Sequence, residues 1–446
     1  MPNPFNPAHL LANWSAPAAP RLWIAYSGGL DSHVLLHAAA QVRSHLPPLS
    51  AVHIHHGLHP SASAWAAHCQ HTCAALEIPL HIQQVTVQRD GGVSPEAAAR
   101  VARYAAWETL LQRNEQLATA HHADDQAETV LLALLRGSGV AGLAAMPTIR
   151  PLAAGYLIRP LLNWPRSALL DYAQRHRLRW IDDPSNANPD YDRNFLRHRV
   201  LPTLRERWPS AVQTINRSAA HCADLTSWLT EQSASVCASI AGRRPNTLSI
   251  NGLQQLPLAT RRHVLRHWLT NYGFLPPNHA YLQRLATEML TPRPDANPLV
   301  HWTGCEVRRY RDELFALRPL PPRPPASIAW ADVSQPLVLP TELGVLIAAP
   351  ALINSAPIQV QFAVSLLPSL RCYLPNQPPR SLKYLFQTAG IPPWLRAYIP
   401  LVCNQHGLIS VAGVSYCHAG AGIITWRDHP WSQFGWFVDN SHLTFD

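Results

Sequence analysis

A chain of 446 residues exceeds what one hydrophobic core organises, and at roughly 150 residues per domain it predicts about three domains. Hydrophobic residues make up 47% of it without an unbroken apolar run of about 20 residues, which excludes a membrane-spanning helix. The formal charge of +9 suits a polyanionic partner such as nucleic acid, although a single lysine, Lys383, among many arginines, with 42 prolines, equally reflects a skewed codon pool.

The opening MPNPFNPAHLLANW has no basic stretch ahead of an apolar core, so no secretion signal is read and the cytoplasm is the expected compartment. From about Arg21 to Leu162 short apolar runs alternate with helical patterns, the order of a parallel sheet covered by helices. RLWIAY, LSAVHIHH, PLHIQQVTV and QLATAHH read as strands; Asp31 to Val42, Ala62 to Leu76, Pro95 to Gln112 and Asp124 to Leu135 read as helices. Ser94 is the expected N-cap of the third helix, with Pro95 at its first turn. A charged helical arm follows, running to about residue 209. A mainly helical middle domain is expected over 210–320. The proline-dense RPLPPRPP then leads into a small α+β domain over 321–446. The eight cysteines, Cys69, Cys73, Cys222, Cys237, Cys305, Cys372, Cys403 and Cys417, contain no C-x-x-C pair, and most are expected as small buried apolar residues.

WIAYSGGLDSHVLL, Trp23 to Leu36, is the first stretch that carries chemistry. Gly28 and Gly29 let the backbone approach a ligand while the following helix points unpaired N–H groups into the turn. Ser27 and Ser32 can donate to phosphate oxygens, and Asp31 can help hold a magnesium ion. A glycine pair before a helix also occurs for purely structural reasons, and neither G-K-[ST] nor G-x-G-x-x-G is present. His53, His55, His56 and His59 could be imagined as a zinc cluster, but alternation along a strand separates His56 from the first two, and hydrogen bonding at the sheet's carboxyl end competes with that reading.

Arg100 and Arg103 fall on one stripe with Glu96 and Trp107, either a solvated face or a pair of forks aimed at phosphates. ATAHHADDQAET ends a strand at His121 and His122 and opens a helix with Asp124 and Asp125, Glu128 one turn on. Those carboxylates either complement the helix dipole or form a pair able to bind an ammonium group or take a proton from an amine. Arg193, Arg197 and Arg199 follow a polar turn, as a solvated helix or as phosphate contacts.

S-G-G-x-D-S at Ser27 to Ser32, HHGL at His55 to Leu58, EAAARVARY, TAHHADDQAET with LLRGSG, RPLL at Arg159 to Leu162, DDPSN with RNFLR, EVRRYRD and LFQTAGIPPWLR stand in one order that resembles the tRNA(Ile)-lysidine synthetase family of PP-loop ATPases. The resemblance implies a Rossmann-like parallel-sheet PP-loop domain and a two-step ligation. ATP adenylates the C2 oxygen of the wobble cytidine in isoleucine tRNA with anticodon CAU, and free L-lysine then displaces AMP to give lysidine. It further implies that Ser27, Gly28, Gly29, Leu30, Asp31 and Ser32, with His53, hold ATP and Mg2+, and that Asp125 and Glu128 orient lysine beside His121 and His122. Arg100 or Arg103 would stabilise phosphate or the adenylated base, and Arg193 and Arg197 would face the substrate. No membrane partner is expected, and a homodimer is compatible with the sequence. Where the family's strand motif has an asparagine, this chain has His55, and its C-terminal basic stretch is thin, with Arg380 and Lys383. The rival readings are a PP-loop tRNA thiolase, against which the lack of C-x-x-C counts, a small-molecule amide ligase, and a non-catalytic tRNA-binding protein.

Overall fold

The computed structural model describes residues 4–12, 19–57, 59–87, 95–291, 297–348, 357–362, 371–372, 378–405, 407–416 and 424–434. Leu58 and Ser94 lie outside the described residues, as does the side chain of Glu96. The chain divides into two compact units, Met1–Trp228 and Leu229–Asp446. Among the described residues no helix is long and apolar enough to cross a membrane.

In the first unit a short helix α1 (Ala8–Ala12) precedes strand β1 (Leu22–Ala25), helix α2 (Leu30–Gln41), β2 (Leu49–His55), α3 (Ala62–Ala75), β3 (Leu80–Gln84), α4 (Pro95–Leu110), β4 (Gln116–Ala118) and α5 (Ala123–Leu135). These correspond to the four strands and four helices expected from periodicity. Strands β1 and β4 are buried along almost their whole length because both faces of the sheet are packed, so they show no in-out alternation. Helix α3 shows why two cysteines sit four apart: Ala66, Cys69 and Cys73 form its buried stripe. Helix α2 buries Val34, Leu35 and Leu36 completely, each side chain contributing roughly 2 kcal/mol of transfer free energy.

The sheet has six strands in the order β3-β2-β1-β4-β6-β5, where β5 (Ile149–Leu152) and β6 (Gly155–Ile158) form a hairpin after a one-turn helix α6 (Val140–Leu143). The first four strands and β6 run parallel, and β5 is antiparallel at the edge. Gly155 is dictated by crowding, since a Cβ there would lie 2.3 Å from the Glu115 carbonyl oxygen. The chain moves outward from β1 to β3 and returns on the other side at β4. The carboxyl ends of β1 and β4 therefore flank a topological switch point, where ligands bind in open α/β sheets.

The charged arm comprises α7 (Arg166–Arg175), α8 (Asp192–Phe195), a π turn at Leu196–Val200 and α9 (Leu201–Arg207). The unit boundary falls within the long α10 (Ala211–Ser239). In the second unit, helices α11 (Ile250–Gln255), α12 (Leu258–Asn271) and α13 (His279–Ala286) share a core with an antiparallel four-stranded sheet built from Thr247–Ser249, Leu299–Trp302, Cys305–Tyr310 and Glu313–Leu317. The remaining strands are antiparallel and pack with helix α14 (Leu382–Thr388) around Phe386, Leu401, Val402 and Trp426. Cys372 departs from the buried-thiol expectation, being disulfide-bonded.

Candidate active site

The turn between β1 and α2 is made of backbone and hydroxyls. Gly28 has φ +86, and a Cβ there would lie 2.5 Å from Ile181 Cδ1 and 3.1 Å from Cys69 Sγ. Gly29 is the extended N-cap of α2. The Ser32 hydroxyl donates to the Gly29 carbonyl oxygen at 2.9 Å and lies 3.0 Å from the Ser27 hydroxyl, so the two serines brace the turn from inside. Leu30 is buried and anchors the first turn of α2 in the core. Behind the turn, His53 is buried with Nδ1 3.0 Å from the Tyr26 carbonyl oxygen, and burial lowers its pKa. From the arm, the Ile181 N–H donates to the Gly28 carbonyl at 2.9 Å, laying that segment across the turn.

Asp31 faces the start of α5. Its Oδ2 is 3.6 Å from His122 Nε2, and its Oδ1 is buried with no hydrogen-bond partner. His122 caps α5 reciprocally: its Nδ1 accepts from the Asp125 N–H at 3.3 Å, and its own N–H donates to Asp125 Oδ2 at 3.0 Å. Burial opposes charging of the His122 ring, but the carboxylates of Asp125, Asp31 and Asp124 outweigh it and raise its pKa. His121 bonds Thr119 through Nδ1 and the Thr119 hydroxyl, 2.8 Å apart. Burial pushes its imidazole down to about 3, with Asp125 opposing and Arg159, Arg193 and Arg100 reinforcing.

The carboxylates of α5 are already matched by arginines from the arm. Glu128 is fully buried, and Arg197 grips it through Nε at 2.7 Å and Nη2 at 2.9 Å, the latter also 2.9 Å from Asp125 Oδ1. Arg193 adds Nε 3.4 Å from Glu128 and a 2.9 Å hydrogen bond to the Thr129 hydroxyl. Burial raises the Glu128 pKa against the pull of Arg197, whereas burial is outweighed at Asp125, whose pKa is lowered by His122, His121 and Arg197. The π turn widens the helix where Arg197 leaves it, a distortion common at functional sites. Asp124 points elsewhere, accepting from the Arg166 N–H at 2.9 Å and pairing with Arg205.

Arg100 places its guanidinium 5.1 Å from the centre of the Tyr104 ring, and Arg150 from β5 lies at the same distance. Arg159 is buried beside them, donating to the Pro147 carbonyl. Arg103 is close enough to His56 that burial and its charge hold that imidazole down to about 4. The result is a cationic wall next to the carboxylate pair. Sequence periodicity placed Arg100 and Arg103 on one stripe but gave no sign of Tyr104, Arg150 or Arg159 as companions of Arg100; that grouping depends on the β5–β6 hairpin. Among the described residues no three histidine, cysteine, aspartate or glutamate side chains converge as a metal cluster. Arg199 lies on the exposed side of the arm.

Residues 6–204 match the family model of the PP-loop domain, residues 248–315 that of the TilS substrate binding domain, and residues 360–423 that of the TilS substrate C-terminal domain. Among curated proteins, the tRNA(Ile)-lysidine synthase of Alkalilimnicola ehrlichii is 43% identical over 403 residues, covering 88% of this chain and 89% of that protein. Those of Xanthomonas axonopodis pv. citri and Serratia proteamaculans are 42% and 41% identical, covering 93% and 92% of this chain and 95% of each relative.

Proposed function

The chain belongs to the tRNA(Ile)-lysidine synthase family, and from that premise we propose how its own residues divide the work of an ATP-dependent ligase that forms lysidine on isoleucine tRNA. The observation that carries the assignment is one continuous contact. Asp31 of the nucleotide turn lies 3.6 Å from His122, which lies 3.4 Å from Asp125, so a ligand in the turn and one at the α5 carboxylates are neighbours.

Ser27, Gly28, Gly29, Leu30, Asp31 and Ser32, backed by His53, hold the phosphates of ATP against the start of α2. Oxygen-only coordination at Asp31 Oδ1, which is buried and accepts no hydrogen bond, fits Mg2+, which when bound there would neutralise phosphate charge. Arg100 and Arg103, on the cationic wall, face the adenylated wobble cytidine of the CAU anticodon. Asp125 and Glu128 receive free L-lysine, its ammonium group taking over carboxylate oxygens that Arg197 otherwise holds, and His121 and His122 line the approach. Arg193 and Arg197, released from part of their pairing, then meet phosphate. An acidic site for a cationic amino acid beside arginines for polyanions gives each reactant its own complement.

The chemistry follows in two steps. The C2 oxygen of cytidine attacks the α-phosphorus and pyrophosphate departs. The lysine side-chain amine, after losing its proton, attacks C2 and AMP departs with the oxygen. We assign Asp125 as the proton acceptor, because Glu128 is fully buried and gripped by Arg197, and burial, reinforced by Arg159, Arg193 and Arg100, leaves the His121 imidazole a weak base. We assign residues 1–209 to catalysis, 210–320 and 321–446 to tRNA binding, and the cytoplasm as the place of action.

Incubation with isoleucine tRNA, ATP and radiolabelled lysine, followed by nuclease digestion, tests the assignment. Label in a single modified cytidine is expected; sulfur incorporation or tRNA binding without AMP release would overturn it.

A further inference from the structure

Arg166 opens α7, and its two ends do different things. Its backbone N–H donates to Asp124 Oδ2 at 2.9 Å, pinning α7 to α5 through the main chain. Its side chain is 47% exposed and brings Nε to 3.8 Å from Asp31 Oδ1. That separation is too long for a hydrogen bond, so the pair is held by charge alone. Among the described residues the Arg166 guanidinium donates no hydrogen bond, leaving its fork of donors unspent.

The nucleotide turn itself, Ser27 to Ser32, contains no cationic side chain. Two other groups that can carry positive charge near Asp31 are already engaged. His122 is committed to the cap of α5, and Arg197 to Glu128 and Asp125. A triphosphate entering the turn sets several negative charges beside the carboxylate of Asp31, and Arg166 is the protein side chain placed to share with a bound Mg2+ the task of answering them.

We propose that Arg166 is a catalytic residue of the adenylation step, turning from Asp31 to the β- and γ-phosphates and holding pyrophosphate as it leaves. As the C2 oxygen of cytidine forms its bond to the α-phosphorus, the bond from the α-phosphorus to the α–β bridging oxygen breaks. The electron pair stays on that oxygen, and the planar guanidinium meets the charge that grows there with two parallel N–H donors. This inference rests on the adenylation reading above.

Calorimetric titration of the full-length wild type, Arg166→Ala and Arg166→Lys with ATP, pyrophosphate and AMP separates the possibilities, together with tRNA-dependent ATP/pyrophosphate exchange. Arg166→Ala is expected to weaken ATP and pyrophosphate at least tenfold, leave AMP within twofold, and lower the rate of exchange; Arg166→Lys is expected to recover part of each loss. The Asp124 bond survives both substitutions because it uses the main chain, and thermal denaturation checks this. Should Arg166→Ala lower the melting temperature, the ratio of ATP to AMP affinity in Arg166→Lys decides. Parallel loss of all three ligands, or no loss of any, overturns the role of Arg166. A wild-type chain that binds neither ATP nor pyrophosphate overturns the adenylation reading and this inference with it.

Discussion

The nucleotide turn and the carboxylates of α5 stand at neighbouring strand ends yet are built in opposite ways. The turn spends almost no charge on itself: its serines brace one another, its glycines bring the main chain close, and Asp31 keeps an oxygen without a hydrogen-bond partner. The α5 site is charged and largely paired before any ligand arrives, Arg197 bridging Glu128 and Asp125 while Arg193 lies beside Glu128. The first region is shaped to wait for a ligand, and the second must exchange partners to receive one. A change in the turn's polar side chains should therefore fall on chemistry, and a change in the carboxylate network should fall on stability as well.

The largest effect expected is that of Asp31→Ala. Its oxygens contribute one weak ion pair and one histidine contact to the fold, so melting should stay near that of the wild type. The rate of tRNA-dependent AMP release should fall about 1000-fold, roughly 4 kcal/mol in the barrier. Equal rates in the two proteins would remove Asp31 from the reaction. Arg197→Ala should behave differently, leaving the fully buried Glu128 carboxylate without its main partner and destabilising the fold by about 3 kcal/mol. Glu128→Gln in the same chain should recover most of that loss in urea denaturation without restoring ligation. An unchanged urea midpoint for Arg197→Ala would erase the contrast between the two regions.

This contrast also governs what could be read from the amino-acid sequence. The turn closes within six consecutive residues, so its glycines, hydroxyls and aspartate announce themselves by spacing alone. The pairing of Arg197 with Glu128 spans 69 positions. Periodicity placed both residues on helices but held no information about which arginine meets which carboxylate. The same applies to Arg100, whose place at the Tyr104 ring beside Arg150 requires a hairpin that the apolar pattern between Ile149 and Ile158 did not reveal. Even the turn has a non-local element, because Ile181 occupies the space a side chain at Gly28 would need. Gly28→Ala should therefore cost about 2 kcal/mol, part from the positive φ and part from crowding. Ile181→Val in that background should relieve only the second part, and full recovery would mean the backbone there carries no strain.

The smallest effect concerns His121, where the cationic wall and the carboxylate site meet. Arg159, Arg193 and Arg100 act on its imidazole from three separate stretches of the chain and Asp125 acts from a fourth, and burial sets the balance, holding it down to about 3. An unfolded histidine takes up its proton near pH 6.5. Above that value His121 contributes no pH dependence; as pH falls below it, the unfolded chain gains a proton that the folded one refuses, and stability declines until the folded group itself titrates near 3. Between pH 7.5 and 5.5 the wild type should lose about 1 kcal/mol more than His121→Asn, which cannot titrate. The urea midpoints of both proteins at the two pH values measure that difference. Parallel slopes would mean that His121 accepts its proton in the folded state, so burial and the arginines beside it do not keep the proton off, and the imidazole would be free to serve as the base that deprotonates the incoming amine.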